Sequence, residues 1–234
     1  MNDVGHRPWP VPDEPWVNAQ SWVDLAFLHW RVDPDELRRL VPPSVELDTQ
    51  DGSAWLGITP FLLTDFRLRG MPPLPLVSTF PELNVRTYVT RDGKPGIWFF
   101  TLDAASTLAV EGAKRMYRLP YNKARMTCER RGEHVHYESA RQGAAFSGRY
   151  RGDGPLFHAE EGSLEYFLTE RYCLYTEDGG RAYRADIHHP PWDLQHGEAR
   201  IDLNTMSPVP LPDDEPHVLF SPRQDVVVWA LEEL

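Results

Sequence analysis

The stretch FPELNVRTYV, residues 80–89, carries four side chains that could do chemistry, one at every second position. They are Glu82, Asn84, Arg86 and Tyr88. Alternate side chains of a β-strand point to the same face, so an acid, an amide, a base and a phenol would lie together. Such a face could bind a small polar ligand and exchange protons with it. It could equally lie against water or be satisfied by neighbouring strands.

The segment that follows favours a covered position for this polar face. The turn RDGKPG (91–96) predicts a hairpin between FPELNVRTYV and IWFFTL (97–102). Both faces of the second strand are bulky and largely apolar, with Ile97, Phe99 and Thr101 on one and Trp98, Phe100 and Leu102 on the other. A strand exposed to water on one side would alternate instead. We therefore predict that the polar face points into covered space.

The spacing along the strand indicates that the two charged groups act separately. Asn84 lies about 7 Å from Glu82 and from Arg86, whereas the two charged residues are about 13 Å apart. Because Glu82 and Arg86 do not simply neutralise each other, we interpret them as separate groups that face one cavity.

Three further residues are candidates for ligand binding. His29 lies in an apolar strand segment, where a buried structural histidine is the alternative to a pocket base. The guanidinium of Arg171 could bind a carboxylate, or it could form a structural ion pair. His188 precedes His189, and adjacent side chains of extended chain point opposite ways, so one could enter the pocket. A structural loop is the alternative for this pair.

The sequence gives little support for a metal or cofactor site. His134 and His136 form an H-x-H pair that could begin a metal site, but a turn and charged residues flank it, so we favour an exposed hairpin face. The sequence has no G-x-S-x-G, P-loop or G-x-G-x-x-G motif. We predict neither a metal nor a cofactor.

Composition narrows the class of partner. The 234 residues carry a net charge of −11, which argues against nucleic acid or an anionic membrane. Cys128 and Cys173 are too few for a disulfide framework, and the N-terminus has no signal-peptide apolar region. We expect a cytoplasmic protein that binds a small molecule, namely a carboxylate. The sequence leaves a homo-oligomer open.

Strands and hairpin turns dominate the predicted elements of the chain. We predict short helices over 33–41 and 103–117, and a helix, or a helix running into a strand, over 163–175. A hairpin is predicted over 45–63, and a proline-rich loop over 67–78. The class is β-rich α+β with a large antiparallel sheet.

Two parts of the chain are distinguished by composition. Residues 1–20 are rich in Pro, Trp and Asp and predict an extended N-terminal arm. Residues 21–234 contain no convincing linker and are predicted to form a single domain.

Several motifs, in order, resemble the YqjF-like proteins of the DUF2071 family, from about residue 20 to residue 231. They are FLHWRVDPDELRRLVPP, FPELNVRTYV, GKPGIWFFTLDAAS, LPYNKARM, LEYFLTERYCLY and HHPPWDLQ. The resemblance implies an acetoacetate decarboxylase-like fold, with a strongly curved sheet that forms a cone or barrel around a small-molecule cavity. It also implies that Glu82 corresponds to a carboxylate lining the decarboxylase cavity.

The same resemblance bears on the nucleophile. The decarboxylase forms a Schiff base through a lysine in a Pro-Lys-Lys segment, which here corresponds to Pro120, Tyr121 and Asn122. Lys123 follows without a lysine neighbour to lower its pKa. We therefore expect no classical acetoacetate decarboxylase activity. Tyr121 and Lys123 join Glu82 and Arg86 as candidate catalytic residues.

Three functions remain open from the sequence. The first is an enzyme acting on a small oxo or carboxylic acid without a Schiff-base lysine, with Glu82 as acid or base and Arg86 or Arg171 holding a carboxylate. The second is a non-catalytic small-molecule binding or sensor protein that uses the same cavity. The third is a structural or interaction role.

Overall fold

The computed structural model describes residues 4–73 and 78–234. Strands make up 57% of it and helices 9%, which confirms the β-rich class. The helices are α1 Pro34–Arg38, α2 Thr107–Tyr117 and α3 Leu164–Thr169. The strands are β1 Asn18–Val32, β2 Glu46–Leu47, β3 Ala54–Leu68, β4 Phe80–Arg91, β5 Lys94–Ala104, β6 Tyr121–Lys123, β7 Arg125–Arg131, β8 His134–Arg141, β9 Ala144–Phe157, β10 Cys173–Asp178, β11 Arg181–His188, β12 Leu194–Asn204, β13 His217–Val228 and β14 Glu232–Glu233.

These strands form one large, curved sheet. Its order is β14-β11-β10-β5-β4-β3-β1-β13-β12-β9-β8-β7, with β2 on β4 and β6 on β5. Because β11 also pairs with β13, the seven strands β11-β10-β5-β4-β3-β1-β13 form a closed circuit of hydrogen-bonded neighbours. We call this circuit the strand ring. Within the described residues, none of the helices has the length and apolar composition that a membrane span requires.

The predicted hairpin over 80–102 is confirmed, and it places the polar row in the middle of the ring. β4 pairs antiparallel with β5 on one side and with β3 on the other. The opposite face of β4 is covered too, because Leu83 and Val85 belong to an apolar cluster with Tyr137, Phe146 and Tyr150 of β8 and β9. β4 is therefore buried on both faces, as the apolar neighbour strand predicted.

A β-bulge in β5 overturns the simple alternation predicted for 97–102. Between consecutive residues of β4 the pairing partner steps from Thr101 to Phe99, so Phe100 is the extra residue. The bulge shifts the side-chain phase by one residue. Ile97, Phe99 and Leu102 consequently line one cavity, in place of the predicted face that ended at Thr101.

Several other predicted elements have different boundaries in the structure. β5 continues to Ala104, so the helix predicted over 103–117 begins only at Thr107. The segment 163–175 is a helix followed by a strand, α3 and then β10. In the predicted hairpin over 45–63, β2 pairs with β4 instead of β3. The helix predicted over 33–41 ends early, because α1 is a single short turn capped by the Asp33 side chain.

The predicted boundaries of the proline-rich loop and of the N-terminal arm also differ from those in the structure. β3 continues to Leu68, inside the loop predicted over 67–78, and residues 74–77 of that loop lie outside the described residues. β1 begins at Asn18, inside the range 1–20 predicted as an arm. Residues 4–17 contain neither helix nor strand, and Arg7 joins them to the sheet through an ion pair with Asp186 at 3.4 Å.

Candidate functional site

A cavity of about 300 Å³ lies inside the strand ring. Every one of the seven ring strands contributes to its lining. The remainder comes from α2, from β6, from Leu119 between them and from the chain after β3. The polar or charged lining residues are Asn18, Gln20, Trp22, Thr59, Arg67, Glu82, Asn84, Arg86, Tyr117 and Tyr121. Aliphatic and aromatic side chains form most of the other lining.

The structure brings three members of the β4 polar row to this cavity. Glu82, Asn84 and Arg86 all line it, and each is at most 6% exposed. Their alternation along β4 keeps them on the inner face, while the residues between them pack outward. The fourth member, Tyr88, is buried but does not line the cavity.

Glu82 is a buried carboxyl group. The Tyr121 hydroxyl donates a hydrogen bond to it, at 3.2 and 3.3 Å from its two oxygens. Desolvation raises the pKa of Glu82 to about 8, and the hydrogen bond from Tyr121 only partly opposes this. Glu82 therefore holds its proton at neutral pH and can donate it.

Arg86 is a buried cation that lines the cavity. One of its terminal nitrogens donates to the Tyr88 hydroxyl and to the Leu168 carbonyl, both at 3.3 Å. Its guanidinium carbon also lies 5.1 Å from the centre of the Phe27 ring. Across the described residues, no carboxylate lies within 4.0 Å of this guanidinium. Among the residues that the structure describes, Arg86 is thus hydrogen-bonded but lacks a counter-charge.

Gly57 makes room for this arrangement. It lies opposite Arg86 in the β3–β4 register and opposite His29 in the β1–β3 register. A Cβ atom at Gly57 would lie 2.9 Å from His29 Nε2 and 3.3 Å from Arg86 Cγ. The glycine allows a close approach that any other residue would disturb.

Five of the lining residues have a buried polar atom without a hydrogen-bond partner. They are the atoms Asn18 Oδ1, Trp22 Nε1, Thr59 Oγ1, Asn84 Oδ1 and Arg86 Nε. Buried polar groups in folded proteins are nearly always paired, so a cluster of unpaired ones marks a place for water or a ligand. The cluster offers both donors and acceptors to such an occupant.

The structure brings Tyr121 to the cavity but not Lys123. β6 runs parallel to β5, with Tyr121 opposite Leu102 and Lys123 opposite Ala104. Two residues of strand carry Lys123 about 7 Å beyond Tyr121. There it is exposed and its ammonium donates to the Ala105 carbonyl. Lys123 therefore does not meet the groups of β4.

The side chain of Tyr88 contacts Arg86, His29 and Arg171. The Tyr88 oxygen lies 2.6 Å from His29 Nε2 and 2.7 Å from the Leu168 carbonyl, to which it can donate. Burial, with Arg86 nearby, lowers the pKa of His29 well below its ordinary value, so His29 is neutral. Arg171 pairs with Asp48 at 2.6 Å, which is the structural alternative considered for it.

His29 and His188 lie outside the lining of the cavity inside the strand ring. His29 lines a second cavity, together with Trp55 and His217. His188 is buried at the end of β11, and its ring stacks on that of His6 with centroids 5.6 Å apart. Neither of the two predicted histidines lines the cavity inside the strand ring.

Sequence reasoning missed the contribution of β1 and β3. Asn18, Gln20 and Trp22 line the cavity from β1, and Thr59 does so from β3. The i, i+2 spacing of the three β1 residues was a readable signal, because it places them on one strand face. Thr59 carries no such signal, since its neighbours in sequence are apolar or proline.

Solved structures place this fold in the acetoacetate decarboxylase-like class. An acetoacetate decarboxylase-like enzyme from Sphingomonas wittichii RW1 has a TM-score of 0.65 at 15% identity, over 97% of this chain and 98% of that one. The enduracididine biosynthesis enzyme MppR complexed with pyruvate has a TM-score of 0.66 at 12% identity, over 98% and 93% of the two chains. At these identities the similarity shows the fold alone.

The sequence comparisons define the family. Residues 19–225 match the model of DUF2071, described as "Uncharacterized conserved protein (COG2071)". The chain is also 47% identical over 229 residues to "Uncharacterized protein YqjF" of Bacillus subtilis (strain 168), covering 95% of both chains. The chain belongs to the DUF2071 family, as its motifs predicted.

Proposed function

We propose that the cavity binds a small oxo acid and that the protein acts on it by acid–base chemistry, without a Schiff-base lysine. The observation that carries this proposal is that one face of β4 presents both a protonated Glu82 and an Arg86 without a counter-charge among the described residues. The two groups supply a proton donor and a cation to the same cavity.

Arg86 supports a carboxylate as one part of the ligand. A buried guanidinium without a counter-charge loses several kcal/mol of solvation, which an anion could restore. Asn84 lies next to it on the same face and can add an amide N–H donor. Because Glu82 is neutral at pH 7, it does not repel an incoming carboxylate.

Glu82 and Tyr121 support a carbonyl group as the second part. A carboxylic acid held neutral in an apolar site can donate a hydrogen bond to a carbonyl oxygen and stabilise charge that develops there. Tyr121 fixes the orientation of the carboxyl group through its own hydrogen bond. When a 3-oxo acid loses carbon dioxide, the bond between its carboxylate and the carbon next to the carbonyl breaks, and Glu82 stabilises the resulting enolate and donates its proton to it.

The fold relatives are consistent with such a ligand. The enduracididine biosynthesis enzyme MppR, which shares the fold, has been solved in complex with pyruvate, an oxo acid. The lysine chemistry of classical decarboxylation finds no support, because Lys123 is exposed and lies outside the cavity lining.

The test combines binding and turnover with a panel that includes pyruvate, acetoacetate and butyrate. Thermal shift measures binding, and proton NMR of the same mixtures measures product formation. Arg86→Met should weaken carboxylate binding at least tenfold, since a charge-assisted hydrogen bond is worth about 1.5–3 kcal/mol. Glu82→Gln should keep binding and lose turnover.

The control is Lys123→Ala, which should leave binding and turnover unchanged, with no adduct after borohydride treatment of the wild type with an oxo acid. Stabilisation by these acids without any product would favour a binding or sensor protein. Carboxylate binding that survives Arg86→Met unchanged would contradict the proposed site.

A further inference from the structure

The lining of the cavity changes character from its buried end to its mouth. Thr59, Asn84 and Arg86 lie together at one end, where Thr59 pairs with Asn84 across β3 and β4. Four residues further along β4, about 13 Å away, the lining is formed by Phe80 and its partner Leu63. A polar head site therefore leads past Glu82 and Tyr121 into a passage whose lining is mostly, though not entirely, apolar.

Exposed apolar side chains continue this passage to the surface. Eight large apolar residues are exposed in the described parts of the chain, and four of them line this cavity: Leu68, Met71, Leu108 and Met116. Leu108 and Met116 lie eight residues apart on α2, close to one face of that helix. A cluster of exposed apolar residues at a cavity mouth is typical of a ligand-binding site.

The volume is larger than a three-carbon acid needs. At about 30 Å³ for each non-hydrogen atom, the share of a water molecule in the liquid, about 300 Å³ holds roughly ten such atoms. Pyruvate has six. A ligand that small would leave Phe61, Leu63 and Phe80 uncovered along the passage.

We infer that the occupant is an amphipathic acid, with its carboxylate head at Arg86 and Asn84 and an apolar chain or aryl group that passes Phe80 toward α2. This inference rests on the proposed function for the head group and adds the tail. The apolar passage selects the tail by the area it removes from water, while the polar row selects the head. Leu108 and Met116 of α2 contact the tail where it reaches the mouth.

Binding of straight-chain carboxylates from acetate to decanoate, followed by calorimetry, tests the inference. Affinity should rise about fourfold for each added methylene, the ratio that corresponds to the burial of one methylene group, and by about 250-fold from butyrate to octanoate. The rise should level off once the tail reaches the mouth. A chain-length dependence that is flat or falling beyond butyrate would overturn the inference.

Two variants at exposed leucines separate the tail site from the general surface. Leu108→Glu places a charge at the mouth and near the start of α2, where an acid suits the helix dipole, so the fold should be retained. It should weaken octanoate binding at least tenfold and leave butyrate binding unchanged. Leu203→Glu, at an exposed leucine of β12 that does not line the cavity, should change neither. Equal effects of the two variants would overturn the inference.

Octan-1-ol and Arg86→Met separate this inference from the proposed function. If the chain-length gain remains but octanol binds as well as octanoate, the tail site stands and the carboxylate head site fails. If Arg86→Met weakens acetate and octanoate equally and no chain-length gain is found, the head site stands and the tail site fails. Wild-type protein that binds none of these probes contradicts both.

Discussion

Replacing Glu82 with glutamine should remove the pH dependence of stability that this one carboxyl group causes. The folded protein holds the Glu82 proton up to about pH 8, whereas the unfolded chain releases it near the ordinary value of 4.5. Between these two pH values the folded state binds one proton more than the unfolded state. Raising the pH through this window therefore favours unfolding, and the glutamine variant is free of that penalty.

The size of the effect follows from the pKa difference. Each pH unit inside the window lowers the free energy of unfolding by about 1.4 kcal/mol. From 4.5 to about 8 the sum is about 5 kcal/mol, a large fraction of the stability of an ordinary domain. Near pH 5 both side chains are neutral, so wild type and Glu82→Gln should differ by no more than about 1 kcal/mol. At pH 9 the variant should be the more stable by several kcal/mol.

Urea unfolding curves at half-unit steps from pH 5 to pH 9 measure this difference directly. Subtracting the variant from the wild type removes the contribution of the other titrating groups, because they are shared. Glu138→Gln, at an exposed glutamate of β8, is the matched control and should change stability little at any pH. A wild-type minus Glu82→Gln difference that is constant from pH 5 to pH 9 would refute a protonated Glu82.

Two further substitutions test the packing around the polar row. Gly57→Ala places a methyl group 2.9 Å from His29 Nε2, so the free energy of unfolding should fall by about 1–3 kcal/mol in urea titrations. Gly112→Ala on α2 is its control, because in the described part of the chain no atom beyond its chain neighbours and the backbone of its own helix lies within 4 Å of the new methyl group. Equal losses in both variants would contradict the packing argument. Asp48→Asn removes the partner of the buried Arg171 and should cost about 3 kcal/mol in the same assay. A loss below about 0.5 kcal/mol would mean that the pair is not structural.

The strand and its covered face could be predicted because local rules decide them. The period of two in 82–88 fixes which side chains share a face, and the turn at 91–96 fixes which strand lies beside them. Apolar residues on both faces of the neighbour then require cover on both sides. Each step depends on residues close in sequence, and each was found in the structure.

The remainder of the site depends on pairings between distant segments. The bulge at Phe100 shifts which residues of β5 face the cavity, and no turn or glycine near it signals the shift. Thr59 reaches the cavity only through its register opposite Asn84. Lys123 has the right alternation with Tyr121, yet β6 ends beyond the cavity, a position that its parallel pairing to β5 determines. Registers of this kind are set by tertiary packing.

The charged Arg86 and the neutral Glu82 lie at different positions along the polar row, so they determine the orientation of a bound ligand. Arg86 supplies the cation of the row, while the buried Glu82 is neutral below about pH 8. About 13 Å of strand separates them, so the cation cannot lower the pKa of the acid through a direct ion pair. This separation allows one face of β4 to keep both a cation at Arg86 and a protonated acid at Glu82. If the two groups were adjacent, Glu82 would ionise against Arg86, and the cavity would have neither a proton donor nor a free cation.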